Sequence, residues 1–147
     1  MQAWAMTPEE TPALSNVTYD ELEVGQVLGT VDEPVGAELA GSLIGAIGAS
    51  GEAAIAPPAV FPVLFLKALR RTLGGIPNGG VLAKYELRFG APLETGNDVR
   101  IEVSIADKYV RRERPYVVVQ FAIDDASGER ALTGLKTIMW PTGPGQE

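Results

Sequence analysis

Residues 56–73 read Ala-Pro-Pro-Ala-Val-Phe-Pro-Val-Leu-Phe-Leu-Lys-Ala-Leu-Arg-Arg-Thr-Leu, and this stretch decides the fold. Proline is tolerated in a first helical turn, because the amide it lacks would have no partner inside the helix. Pro57 and Pro58 therefore predict a helix over 59–73. Its apolar side chains surround the axis on nearly every side, while Arg70 and Arg71 come late, where cations suit the helix dipole. We expect this helix to be buried on all sides.

The apolar pattern on both sides of this helix predicts a sheet. Downstream, apolar residues alternate with polar ones, or form short apolar runs, over 81–89, 99–105, 116–123 and 132–140. Short links between these segments favour an antiparallel meander. Upstream, a first strand is predicted over 26–31, with Gly25 as a turn residue. A short helix is predicted over 36–49, where Leu39, Leu43, Ile44 and Ile47 have helical spacing.

One apolar helix and an antiparallel sheet combine most simply when a curved sheet wraps around the helix. Only a bent sheet covers so much of a helix in a chain of 147 residues. The predicted fold is therefore α+β, of the hotdog type. We expect the domain to span 19–141, between flexible tails over 1–18 and 142–147. An unpaired edge strand commonly pairs across a dimer, so we expect at least two hotdogs side by side.

Composition excludes several classes of site. The chain has no His and no Cys, which excludes Ser-His-Asp and Cys-His nucleophiles, thiolate zinc sites and disulfides. Its net charge of −7 disfavours nucleic-acid binding, whose affinity comes largely from neutralising phosphates. No apolar run is long enough for a membrane span. The first 18 residues lack Lys and Arg and a sustained apolar run, so we expect a cytoplasmic protein.

Four stretches follow one another in an informative order. Residues 19–26 read Tyr-Asp-Glu-Leu-Glu-Val-Gly-Gln, residues 56–62 open the central helix, residues 88–98 read Arg-Phe-Gly-Ala-Pro-Leu-Glu-Thr-Gly-Asn-Asp, and Gly128 and Gly134 lie in the last hairpin. Together they resemble the MaoC-like dehydratase/hydratase family of hotdog proteins. The resemblance implies binding of an acyl thioester, usually acyl-CoA. It also implies a hydro-lyase reaction, the hydration of a trans-2-enoyl group or the reverse dehydration.

The chain departs from that family in the loop before the central helix. Family members that catalyse the reaction carry an Asp, an Asn-Pro and a His there, which position and activate a water. Here the corresponding residues 48–55 read Gly-Ala-Ser-Gly-Glu-Ala-Ala-Ile, a shortened stretch with neither Asp nor His. The usual dyad is absent. A shortened loop would also widen the pocket beside the helix and admit a bulky acyl group.

Two candidate catalytic features lie near the start of the helix. Glu52 is the only acid between Glu38 and Glu86, and a lone carboxylate acts as a general base when burial raises its pKa toward neutrality. The alternative is a solvated loop residue. The backbone amides of Ala59, Val60 and Phe61 could bind the substrate by polarising a thioester carbonyl. Alternatively, local structure or water satisfies them.

One basic cluster is a candidate site for CoA. Arg111, Arg112 and Arg114 follow Lys108 and are interleaved with aromatic residues, namely Tyr109 and Tyr116. Arginine makes bidentate contacts to phosphate, and aromatic rings stack on adenine. The alternative is a solvated turn between two strands. No metal site is indicated, and no cofactor is expected beyond acyl-CoA as ligand or substrate.

Three functions stay open on this reading. The first is an accessory, non-catalytic subunit of an enoyl-CoA hydratase/dehydratase, in a heterodimer whose partner hotdog subunit carries the missing dyad. The second is a self-sufficient lyase, hydratase or cyclase that uses a carboxylate such as Glu52 on an unusual bulky substrate. The third is a stand-alone ligand-binding protein or scaffold, which a homodimer would also suit. Saturable binding without turnover would distinguish the third function from the second.

Overall fold

A computed structural model describes residues 17–35 and 60–142 of the chain. Its elements are a 3₁₀ turn, one α-helix and five strands: Tyr19–Glu21, β1 Val27–Pro34, α1 Val60–Leu73, β2 Val81–Phe89, β3 Asp98–Arg111, β4 Arg114–Asp124 and β5 Arg130–Met139. The sequence prediction of the central helix and of all five strands is confirmed, with β3 longer than expected and β1 extending past residue 31. The helix predicted over 36–49 lies outside the described residues.

The five strands form one antiparallel sheet in the order β1-β3-β4-β5-β2. The expectation of a simple meander is wrong for one strand, because β2 pairs with β5 and not with β3, which follows it in the chain. The β2–β3 link instead reaches β1, where the amide of Gly96 donates to the carbonyl of Val35 at 2.6 Å. Alternation identifies a strand without identifying its neighbour.

Helix α1 lies on the concave face of this sheet. The ring of Phe65 stacks on Phe121 of β4 at a centroid distance of 4.5 Å and lies against the backbone of Gly134 in β5. At the other side of the sheet, Arg71 donates to the buried carboxylate of Glu33 in β1 at 2.6 Å. The sheet therefore curves around the helix, and the predicted hotdog arrangement is confirmed.

Burial of the helix is confined to one side. The side chains buried against the sheet recur at helical spacing: Val60, Phe61, Leu64, Phe65, Ala68, Leu69 and Leu73. Pro62 and Leu66 are exposed, Leu66 by 36%. The expectation of a helix buried all round is therefore wrong for one protomer, because a single curved sheet covers only the side that faces it.

Two side chains help to tie the segment before β1 to the sheet. Nε1 of Trp140 donates to the carbonyl of Val17 at 2.9 Å, and Nζ of Lys108 donates to the carbonyl of Leu22 at 2.6 Å. The same ammonium lies 4.1 Å from the ring centroid of Tyr19. Residues 1–16 and 143–147 lie outside the described residues, so the flexible tails stay a prediction. No described helix is long and apolar enough to cross a membrane.

Candidate functional site

An apolar strip on the concave face of β2 lies beside the start of α1. It consists of Tyr85, Leu87 and Phe89, which share one face because side chains alternate along a strand. Their register partners on β5 include Gly134, whose backbone faces Phe65 of the helix, so this face is the concave one. The three side chains are 36%, 38% and 55% exposed. We call these three residues the inner strip.

The first described turn of α1 lies next to the inner strip. The described part of the helix begins at Val60, and the backbone amides of Val60 and Phe61 stay predicted donors, because their possible acceptors over 56–59 lie outside the described residues. The third residue is Pro62, which has no amide hydrogen. The ring of Phe61 meets the ring of Phe89 edge to face at a centroid distance of 5.7 Å. Ala59, predicted with Val60 and Phe61, lies outside the described residues.

A buried lysine lies at the inner end of the strip. Lys136 of β5 is only 4% exposed, and its register partner on β2 is Tyr85. Its Nζ lies 5.6 Å from the centroid of the Tyr85 ring. Desolvation by burial lowers the pKa of the Lys136 ammonium, and burial raises the pKa of the Tyr85 phenol. Within residues 17–35 and 60–142, no carboxylate pairs with Lys136.

Lys136 was not predicted as a site residue, although its position in the alternating pattern of β5 indicates a buried lysine. Leu132, Gly134, Lys136 and Ile138 alternate along β5, so the strand period places the lysine on the same face as three core residues. A charged residue on the buried phase of a strand is a feature to follow up, because lysine is almost never fully buried unless it is paired.

The basic cluster lies at the tip of the β3–β4 hairpin. Arg112 and Glu113 form a two-residue turn with φ of 52° and 64°, the left-handed conformation that tight hairpins require. A surface depression of about 370 Å³ at this tip is lined by Ala83, Lys84, Tyr109, Arg111, Arg112, Tyr116 and Thr137. The two tyrosine rings stack on each other at 5.1 Å. We call this depression the outer basic patch.

The structure brings together part of the predicted CoA cluster. Arg111 and Arg112 both line the outer basic patch. Nη1 of Arg114 instead lies 3.8 Å from the sulfur of Met139, and Lys108 is used to hold the segment before β1. The hairpin thus offers two arginines and two aromatic rings on one convex surface.

The helix start and the arginines of the outer basic patch lie far apart within one protomer. The patch lies at the end of the sheet where β2 begins, because Tyr116 and Val81 both pair with Met139. The helix begins at the opposite end of β2, where Phe61 meets Phe89. Eight strand steps of about 3.3 Å separate the two ends by roughly 26 Å, and the two sites lie on opposite faces of the sheet.

Glu52, the predicted catalytic residue, lies outside the described residues, and its role stays a prediction. Within 17–35 and 60–142, no group of three or more acidic side chains is placed to hold a metal ion. The structure places apolar side chains beside the helix start, and a buried amine, that of Lys136, at the far end of the inner strip. This arrangement suits binding of an apolar chain with a polar group at each end.

Solved structures similar to this chain share its architecture. The (R)-hydratase of A. caviae involved in PHA biosynthesis aligns with a TM-score of 0.63 and 23% identity, over 82% of this chain and 98% of that one. The MaoC-like dehydratase of Rhodospirillum rubrum aligns with a TM-score of 0.68 and 17% identity, over 84% and 97%.

A third similar structure is a complex of two subunits. The HadBC (3R-hydroxyacyl-ACP dehydratase) complex of Mycobacterium tuberculosis aligns with a TM-score of 0.60 and 18% identity, over 74% of this chain and 90% of that one. No protein-family model matches the chain, and no curated protein matches it in sequence. At these identities the likeness shows the fold, and the chain has the hotdog fold that MaoC-like dehydratases and (R)-hydratases share.

Proposed function

We propose that the protein binds an acyl thioester, with the acyl chain on the inner strip and the thioester carbonyl at the start of α1. The observation that carries this proposal is the exposed inner strip beside the first described turn of α1, where the ring of Phe61 meets that of Phe89. Burial of apolar surface contributes roughly 25 cal/mol per Å², so a chain covering Leu87 and Phe89 gains affinity. The helix dipole favours the partial negative charge of the carbonyl oxygen.

The thioester is proposed to be that of CoA, held by the outer basic patch of a second subunit. All nine residues of β2 are exposed, and this strand forms one edge of the sheet. An antiparallel pairing of two β2 edges would place one subunit's hairpin tip at the end where the other subunit's helix begins. Arg111 and Arg112 of one subunit would then lie at the same end as Phe61 of the other.

The role proposed for the chain is that of an accessory subunit in a hydratase or dehydratase. The chain contains no histidine, so it cannot supply the imidazole that activates water in the family it resembles. The similar HadBC structure is a complex, which supports an arrangement of unlike hotdog subunits. In this arrangement the partner supplies the acid/base residues, and this chain supplies part of the binding surface.

Calorimetric titration with saturated acyl-CoA ligands and with free CoA tests the binding proposal. We expect acyl-CoA to bind more tightly than free CoA, because only the acyl chain reaches the inner strip. Leu87→Asn should lower acyl-CoA affinity about tenfold, whereas Val110→Asn, an exposed apolar residue on β3, should leave it unchanged. Equal affinity for acyl-CoA and free CoA, or no binding of either, would overturn the proposal.

Turnover assays on bound enoyl-CoA test the accessory role. We expect the isolated chain to bind enoyl-CoA without hydrating it, and to form a complex with a hotdog subunit that carries the missing dyad, visible by size-exclusion chromatography. Turnover by the isolated chain would contradict the accessory role and favour a self-sufficient enzyme. In that case loss of turnover in Glu52→Gln would assign the chemistry to that carboxylate.

A further inference from the structure

Lys136 is a buried ammonium for which the fold provides no carboxylate among the described residues. The residue is 96% removed from solvent, its Nζ lies 5.6 Å from the centroid of the Tyr85 ring, and it forms no ion pair with a described carboxylate. A cation over an aromatic ring gains about 0.5–2 kcal/mol, less than the several kcal/mol that burial of an unpaired ion costs. A mostly buried charge that no described carboxylate offsets is typical of a residue kept for a ligand.

The surroundings of this ammonium select the chemistry of that ligand. Lys136 offers three hydrogen-bond donors and no acceptor, so its natural partner is an anionic oxygen. Because burial raises the pKa of Tyr85, its phenol keeps its proton at neutral pH and is a second donor on the ring that the ammonium faces. Two donors and no acid within the described residues suit a carboxylate.

The position of the lysine sets where on a ligand that carboxylate lies. Lys136 is across from Tyr85, the residue of the inner strip farthest from the helix start. Phe89 is four residues away along β2, about 13 Å at 3.3 Å per residue. A chain whose carbonyl lies at Val60 and Phe61 and whose body lies on the inner strip would therefore reach Lys136 with its far end.

We propose that Lys136 and Tyr85 bind a carboxylate at the far end of the acyl chain, so that the ligand is the thioester of a dicarboxylic acid. This inference rests on the proposed function for the position of the thioester. The carboxylate pairs with the ammonium where water is largely excluded, and such a charge-assisted contact is stronger there than at the surface. A plain fatty acyl chain would leave the ammonium unpaired when it covers the strip.

Titration with adipoyl-CoA and hexanoyl-CoA, which share a six-carbon acyl chain, tests this inference. We expect adipoyl-CoA to bind at least tenfold more tightly to the wild-type protein. Lys136→Met should remove this preference. Lys67→Met, which removes a half-buried ammonium of α1 outside both proposed binding surfaces, should preserve it. Equal affinity for the two ligands in the wild type, or a preference that Lys136→Met retains, would overturn the inference.

A second measurement separates failure of this inference from failure of the proposed function. The chain has only four lysines, Lys67, Lys84, Lys108 and Lys136, so methylated or isotope-labelled lysine signals are assignable by single substitutions. If neither CoA ester binds, the proposed function fails, and free adipate then tests the lysine alone. A shift of the Lys136 signal with adipate and not with hexanamide, which has the same chain length and no carboxylate, supports the anion site. No shift with adipate overturns it.

Discussion

The ring of Phe65 in α1 lies directly on the backbone of Gly134 in β5, with no side chain of β5 between the ring and the sheet. A Cβ added at Gly134 would lie 2.8 Å from Cε2 of Phe65, closer than carbon atoms approach each other in folded proteins. The glycine is needed here for close approach and not for a turn. This contact fixes the distance between α1 and β5, and therefore the depth of the space beside the inner strip.

Gly134→Ala should destabilise the fold by about 1–3 kcal/mol, because overpacking forces the helix or the ring to shift. Chemical denaturation followed by circular dichroism measures the change. Phe65→Leu in the same background is the matched control, since a smaller side chain makes room for the new methyl group. A double-mutant cycle without a coupling free energy between the two positions would contradict this account.

Arg71→Met should destabilise the protein by about 1–2 kcal/mol, because it leaves the carboxylate of Glu33, only 6% exposed, without its cation. Arg100→Met removes the partner of Asp32 in an ion pair whose side chains are both exposed. It should cost less than about 0.5 kcal/mol. Equal effects of the two substitutions on the denaturation midpoint would show that burial of Glu33 does not determine how much stability is lost.

Lys136→Met should stabilise the ligand-free protein at neutral pH by about 1 kcal/mol or more, because it replaces a buried ammonium with an apolar chain of similar length. The pKa of Lys136 is lowered in the folded state, so the unfolded state binds more protons between that pKa and the ordinary value of 10.5. As pH rises through this window, the free energy of unfolding of the wild type therefore rises relative to that of the variant, and the difference between the two narrows.

Thermal unfolding of Lys136→Met and of wild type between pH 7 and 10.5 measures the narrowing gap. Lys84→Met is the control, because its ammonium lies in water in both the folded and the unfolded state. A stability difference that does not change with pH would show that the Lys136 ammonium is not desolvated. A stabilised variant that has lost adipoyl-CoA binding would be an example of stability given up for a site.

Arg111→Glu combined with Arg112→Glu should lower the affinity for free CoA at least tenfold and weaken the dependence of that affinity on salt. Both guanidinium groups line the outer basic patch and would contact phosphate. Arg100→Glu combined with Arg130→Glu makes the same change of net charge at the other end of the outer face, and this control should have a small effect. Comparable losses in both variants would place the phosphates elsewhere.

The central helix and the strands were predictable because their signals are local. Prolines at 57, 58 and 62 with a run of apolar residues mark the helix, and strict alternation marks β2 and β3. The neighbours of β2 were not predictable, because which strands pair depends on how the link over 90–97 crosses the sheet. Burial of Leu66 was overestimated for a related reason, since the sequence does not say how far one sheet reaches around the helix.

The sequence identified the backbone amides and the basic cluster as candidates, but it could not predict how far apart they lie. The amides of Val60 and Phe61 follow from the helix start, and the arginines of the hairpin follow from their clustering. The roughly 26 Å between them required the register of β2 and β5. Lys136 was missed because a single lysine in an apolar strand has a clear meaning only when its face is known.

The unpaired edge of β2 carries a thermodynamic consequence for ligand binding. Tyr85, Leu87 and Phe89 belong both to this edge strand and to the surface proposed for the acyl chain. If a second subunit pairs along the edge, assembly involves the nine residues of β2, and ligand binding involves three of them. By thermodynamic linkage, if assembly raises the affinity for the ligand by some factor, the ligand raises the affinity between subunits by the same factor. Diluting the protein would then lower its apparent affinity for the ligand, because fewer subunits would be assembled.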